Sequence, residues 1–99
     1  MEEKIAWEMD TKQKFQQMIE KIPIFLRPLA EKKVSEKAED LARKENRLEV
    51  TQKDMVDAFF SETPSGFHGP MKADMEDLGI DYTKYGYQQK YVWWEQQKP

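Results

Sequence analysis

The chain is predicted to be all-α: a small three-helix module with a proline elbow between its first and second helices, then a short fourth helix and an irregular aromatic tail. Three observations carry this. Apolar residues recur at helical spacing in three segments and, more briefly, in a fourth. Prolines and glycines fall between those segments or at their starts. Alternation of apolar and polar residues appears at Leu48-Glu49-Val50, long enough only for an extended connector.

The first helix is expected from about Asp10 to Lys21. Phe15, Met18, Ile19 and Ile22 fall at i, i+3, i+4 and i+7, with lysines and glutamines opposite and Asp10 or Thr11 as N-cap. Pro23 stops it, because its ring clashes with the preceding turn and drives Ile22 out of the α region. The run Ile22-Pro23-Ile24-Phe25-Leu26 is the most hydrophobic in the chain and is expected to be a buried elbow. A second, spine helix starts near Pro28, suited to a first turn that needs no N–H there, and runs to about Lys44. Leu29, Ala30, Val34, Ala38, Leu41 and Ala42 form its apolar stripe, and the alanines allow another helix to approach closely. Its charged face reads as solvated.

Thr51-Gln52-Lys53-Asp54 has the form of a capping box and opens a third helix with Met55, Val56, Phe59 and Phe60 inward. Thr63-Pro64-Ser65-Gly66 ends it. Pro70 opens a short fourth helix, with Met71, Met75 and Leu78 on one side and Gly79 closing it. Beyond it the periodicity fades. Seven of the twelve aromatic residues lie after Gly66. The organisation is therefore a three-helix domain over residues 5–62, followed over 63–99 by a loop, a short helix and an aromatic tail that packs on the core or on a partner.

Composition narrows the function classes. Ninety-nine residues make one domain, which buries only about two thirds of its unfolded surface. Without cysteine there are no disulfides, thiolate zinc sites, cysteine-ligated clusters or thiol nucleophiles, and one histidine gives no multi-histidine metal site. Sixteen basic residues against nineteen acidic ones, interspersed, leave no basic stripe for phosphate backbones, so nucleic acid is a disfavoured partner. No apolar run approaches the roughly 20 residues of a bilayer span, and Met1-Glu2-Glu3-Lys4 is unlike a signal peptide, so a soluble, cytoplasmic protein is expected.

Trp7 ahead of a helix, the elbow Ile22-Pro23-Ile24-Phe25-Leu26-Arg27, Glu36 and Ala38 on the spine, and a Val50-Thr51 cap before a helix holding Ala58 together resemble a known domain. It is the small C-terminal domain of the B subunit of light-independent protochlorophyllide reductase, found also alone or fused in bacteria that make no chlorophyll. The resemblance covers residues 5–62, and its most specific part is the Ile-Pro-x-Phe-x-Arg elbow followed by the Thr-capped helix. It implies a helical module that covers the tetrapyrrole site of a larger oxidoreductase without catalysing the reaction. Pro28 and the aromatic tail depart from the family pattern.

Arg27, held between two prolines, either offers its guanidinium to a carboxylate of a partner or of a tetrapyrrole, or caps carbonyls at the end of the first helix; the capping reading is favoured. Trp7 is a staple over the first helix or a stacking surface for a flat ligand, with the staple favoured. His68 lacks a paired nucleophile or second histidine and is read as a loop residue with a local hydrogen bond. The carboxylates sit on polar faces without an acid/base signature, and no catalytic residue, metal or cofactor is assigned. Tyr91, Trp93 and Trp94, residue types that dominate interface hot spots, join Trp7, Phe25 and Arg27 as candidate binding residues.

The sequence thus points to a non-catalytic helical interaction module, an accessory subunit that binds a larger protein, perhaps a redox protein in the reading the resemblance implies, through its elbow and aromatic tail. The alternative is a carrier whose Trp7, Phe25 and Arg27 line a pocket for a tetrapyrrole or other flat molecule. A histone-like DNA-binding dimer is the third reading, weakened by the acidic balance.

Overall fold

The computed structural model describes residues 5–89. The fold is all-α, with four helices among the described residues: α1 (Met9–Glu20), α2 (Arg27–Lys44), α3 (Gln52–Glu62) and α4 (His68–Asp77). Strand is confined to a two-residue parallel ladder of β1 (Ala6–Trp7) with β2 (Glu49–Val50), in register Ala6 to Glu49 and Trp7 to Val50. The ladder pins the segment before α1 to the segment before α3, and Glu8 N–H extends it by donating to the Val50 carbonyl at 3.1 Å. That bond turns the chain at Glu8, so α1 starts before the expected cap. Neither Asp10 nor Thr11 caps it; Thr11 is buried inside the first turn, and its hydroxyl donates to Glu8 Oε1.

The helix ends follow local chemistry. Thr51 and Asp54 form the reciprocal capping box that starts α3: the Thr51 side chain receives the Asp54 N–H, and Asp54 Oδ2 accepts from Thr51 N–H at 2.9 Å. The C-termini of α2 and α4 close alike. Asn46 (φ +60) and Gly79 (φ +75) take the left-handed conformation, and the following N–H groups, of Arg47 and Ile80, reach back to the carbonyls of Ala42 and Met75. This double reach satisfies carbonyls that a helix end leaves open.

α2 and α3 make the main helix contact. Ala38 and Ala42, fully buried, let α3 come close enough for Met55, Val56 and Phe59 to fill the interface. The second half of the chain shares this core. Met71, Met75, Ile80 and Tyr82 are buried with the α1–α3 residues in one cluster. Tyr87 stacks on Phe60 at 3.8 Å and 4°, and donates its hydroxyl to Asp57 Oδ1, while Tyr85 donates to Gln52 Oε1. Lys14, from α1, donates to the Leu78 carbonyl at the end of α4, tying the first helix to the last.

One expectation is overturned. The elbow is not buried: Ile24 is 74% exposed and Phe25 78%, and Leu26 and Leu29 are exposed as well. The reason is geometric. After Pro23 the chain makes a single 3-10 turn, Ile24–Leu26, on the outside of the bend between α1 and α2, so its side chains project away from α3.

Candidate functional site

Two connections in this chain are built alike. Pro23 (φ -51, ψ 139) and Pro64 (φ -56, ψ 145) each precede a three-residue 3-10 turn, Ile24–Leu26 and Ser65–Phe67, and each turn passes directly into a helix. In each, the third turn residue donates its N–H to the proline carbonyl at 2.9 Å, Leu26 to Pro23 and Phe67 to Pro64. The following side chain then reaches back to the carbonyl just before the proline. Arg27 Nε donates to Ile22 O and His68 Nε2 to Thr63 O, both at 2.8 Å. Proline fixes the extended entry, the turn reverses direction, and the long polar side chain satisfies a carbonyl left open by the preceding helix or its end.

The two elbows face each other across an apolar groove of about 490 Å³. Pro23, Leu26 and Leu29 line one wall, and Pro64, Phe67 and Met71 the other, over a floor that includes Met18 and Phe59. Lys21 and Lys33 stand on the first-elbow side, Glu62 and Asp74 on the other. Lys21 also pairs with Asp77 at 2.7 Å, which raises the Lys21 pKa and lowers that of Asp77, in both chiefly through their hydrogen bond. Five of the seven exposed large apolar side chains among the described residues, Ile24, Phe25, Leu26, Leu29 and Phe67, border or flank this groove.

The sequence-derived candidates do not converge on one pocket. Arg27 spends two of its donors on helix-end carbonyls, Nη2 on Glu20 O and Nε on Ile22 O. Trp7 packs on Phe15 with centroids 4.9 Å apart, and its indole N–H donates to Glu39 Oε2 at 2.9 Å. Its side borders a separate, more polar concavity of about 590 Å³ with Lys12, Glu31 and Ser35, which shares no lining residue with the elbow groove. A pocket gathering Trp7, Phe25 and Arg27 round one flat ligand is not formed. Tyr91, Trp93 and Trp94 lie outside the described residues. His68 is the first residue of α4 rather than a loop residue, and its ring meets Phe60 edge-on at 5.0 Å in addition to bonding Thr63.

Asp54 is the carboxylate with the most structured surroundings. Burial pushes its pKa up, but hydrogen bonds from Arg47 and Thr51 outweigh that, and the net pKa lies below the usual aspartate value. Arg47 grips both Asp54 oxygens and also Glu45. This is a structural lock on the α2–α3 connection, with no reacting partner in reach. Among the described residues no group of His, Asp and Glu side chains is placed to hold a metal ion, and no helix is long and apolar enough to cross a membrane.

A family model matches residues 1–91, the elbows and the groove included. The chain belongs to the DUF2621 family, described as a protein of unknown function. No curated protein and no solved structure shows significant similarity to it. The match of the DUF2621 model runs past residue 62, over α4 and the Tyr82–Tyr87 region, as does the common core.

Leu29 and Phe67 are groove residues that the sequence reading placed elsewhere, Leu29 in a buried stripe and Phe67 in a loop. A signal existed for Phe67: Pro-x-x-Leu-Arg at 23–27 and Pro-x-x-Phe-His at 64–68 have the same form, proline, two free positions, an apolar residue and a basic one.

Proposed function

We propose that this chain is a non-catalytic protein-docking module, an accessory subunit whose contact face is the groove between its two proline elbows, with Ile24 and Phe25 beside it. One observation carries the reading. The second elbow makes the same backbone turn with Ser65 and Gly66 where the first has Ile24 and Phe25, so the turn itself requires no apolar side chains there. Those side chains contribute nothing to the core either, being 74% and 78% exposed. Large apolar groups that neither the turn nor the core uses, gathered at the rim of an apolar groove, are the signature of a surface that another protein covers. The reading keeps the role that the resemblance to the reductase domain implies, a helical cover set against other protein.

The flat-ligand alternative draws its support from the groove volume, which is within the range of small-molecule sites. Both are tested together. A photo-crosslinking residue at position 25, at 67, or at 48 as an exposed control is introduced into the full chain in cells. Protein adducts at 25 and 67 and none at 48 are the expected result; adducts equal at all three, or none at 25 and 67, would refute docking by this face. Visible absorbance in the purified chain would shift the reading to a tetrapyrrole.

A further inference from the structure

We propose that the occupant of this face is a second copy of the same chain, placed by a two-fold axis so that the Ile24–Phe25 knob of each copy lies over the Ser65–Gly66 wall of the other. This rests on the docking reading above and names its partner. A two-fold interface is self-complementary: where residue i meets j, j meets i. The face between the elbows has that property in shape and in charge.

In shape, the first elbow carries a knob and the second a hollow. Ile24 and Phe25 project beside the groove rather than into it, while the equivalent positions of the second elbow are serine and glycine. Nothing inside the chain demands that glycine. A Cβ built on Gly66 meets nothing within 4 Å, and Gly66 is not among the glycines with positive φ. Its bare backbone instead leaves open space for a close approach from outside. In charge, the groove has Lys21 and Lys33 on one side and Glu62 and Asp74 on the other. A copy rotated by half a turn about an axis through the groove sets each basic side against an acidic one. Since Lys21 already pairs with Asp77, Lys33 and Glu62 are the informative pair.

Sedimentation velocity and light scattering of the full chain over a concentration series read the assembly directly. The expected result is a monomer–dimer equilibrium that Phe25→Asp weakens at least about thirtyfold, the scale of a hot-spot loss. Gly66→Leu, which fills the hollow, should weaken it about tenfold or more. Lys33→Glu and Glu62→Lys should each weaken it, and the double variant K33E/E62K should recover most of the loss. Leu48→Asp, at an exposed apolar position outside the groove lining, should leave it unchanged. Circular dichroism melts separate lost assembly from lost folding, and neither Phe25→Asp nor Gly66→Leu touches the core.

A wild-type chain that stays monomeric up to ~1 mM, or a dimer indifferent to Phe25→Asp, overturns the proposal. A monomeric chain that nevertheless cross-links a different protein through position 25 overturns the second copy and leaves the docking reading standing. A monomeric chain with no adduct at position 25 overturns both.

Discussion

The two proline elbows have one backbone and two surfaces. Residues 22–27 and 63–68 enter from proline, make a 3-10 turn and start a helix without a side-chain cap, and each sends its sixth residue back to a carbonyl of its first. Yet the first displays isoleucine and phenylalanine, and the second serine and glycine. The second acts as a built-in control for the first. What both share, the proline and the returning polar side chain, is what the turn needs; what only the first has must serve something outside the turn.

The comparison can be broken or sharpened by substitution, beginning with the floor that both elbows cover. Phe59, which is buried, lines the groove floor and packs against Phe15 at 5.9 Å. Phe59→Ala should cost about 3–5 kcal/mol in chemical denaturation. A loss below about 1 kcal/mol would show that the groove floor is not part of the core.

α3 follows no elbow and depends on its cap. Asp54→Ala removes the capping box and leaves Arg47 with only Glu45, and should cost about 2–4 kcal/mol. The same carboxylate sets an acid limb of stability. Its folded pKa lies below its unfolded value, so its contribution is complete above the unfolded pKa of about 4 and is lost as pH falls through the folded pKa. Denaturation midpoints measured from pH 6 down to about pH 2 should fall more steeply for the wild type than for Asp54→Ala. Parallel curves would remove Asp54 from the acid response.

Next come the two returning side chains. Arg27→Ala forfeits two charge-assisted bonds to carbonyls at a partly exposed position and should cost about 1–2 kcal/mol. His68→Ala forfeits one bond and the edge contact with Phe60, and should cost about 1 kcal/mol. If one of these substitutions were neutral in a thermal melt while the other destabilised the fold, the two elbows would not be energetic equivalents. The smallest effect is expected where the elbows differ. Ile24→Ser with Phe25→Ser, which gives the first elbow the polarity of the second, should leave stability within about 0.5 kcal/mol. A loss of 3 kcal/mol or more by the same measurement would put those side chains back into the fold.

Much of the architecture was legible from local rules. Phe15, Met18 and Ile19 on α1, Val34, Ala38 and Ala42 on α2, and Met55, Val56 and Phe59 on α3 all lie on the faces that their spacing assigned, because a 3.6-residue period leaves one stripe to bury. Thr51 and Asp54 formed the expected box because capping needs only neighbours in sequence. Arg27 went to the carbonyls at the end of α1 for the same reason.

What failed was inference from hydrophobicity without geometry. Ile24, Phe25 and Leu29 were expected inside because they are apolar, but whether such a residue is inside depends on which side of a bend it occupies, and no local pattern encodes that. The tertiary structure also decided that Tyr82, Tyr85 and Tyr87 belong to the core region: their irregular spacing has no helical period, and only contact with Phe60, Asp57 and Gln52 gives it meaning. The sequence by itself determined the helices, their ends and the two turns, since those depend on residues within a few positions of one another. The groove, its exposed knob and its opposed charges arise from residues about forty positions apart, and only the folded chain brings them together.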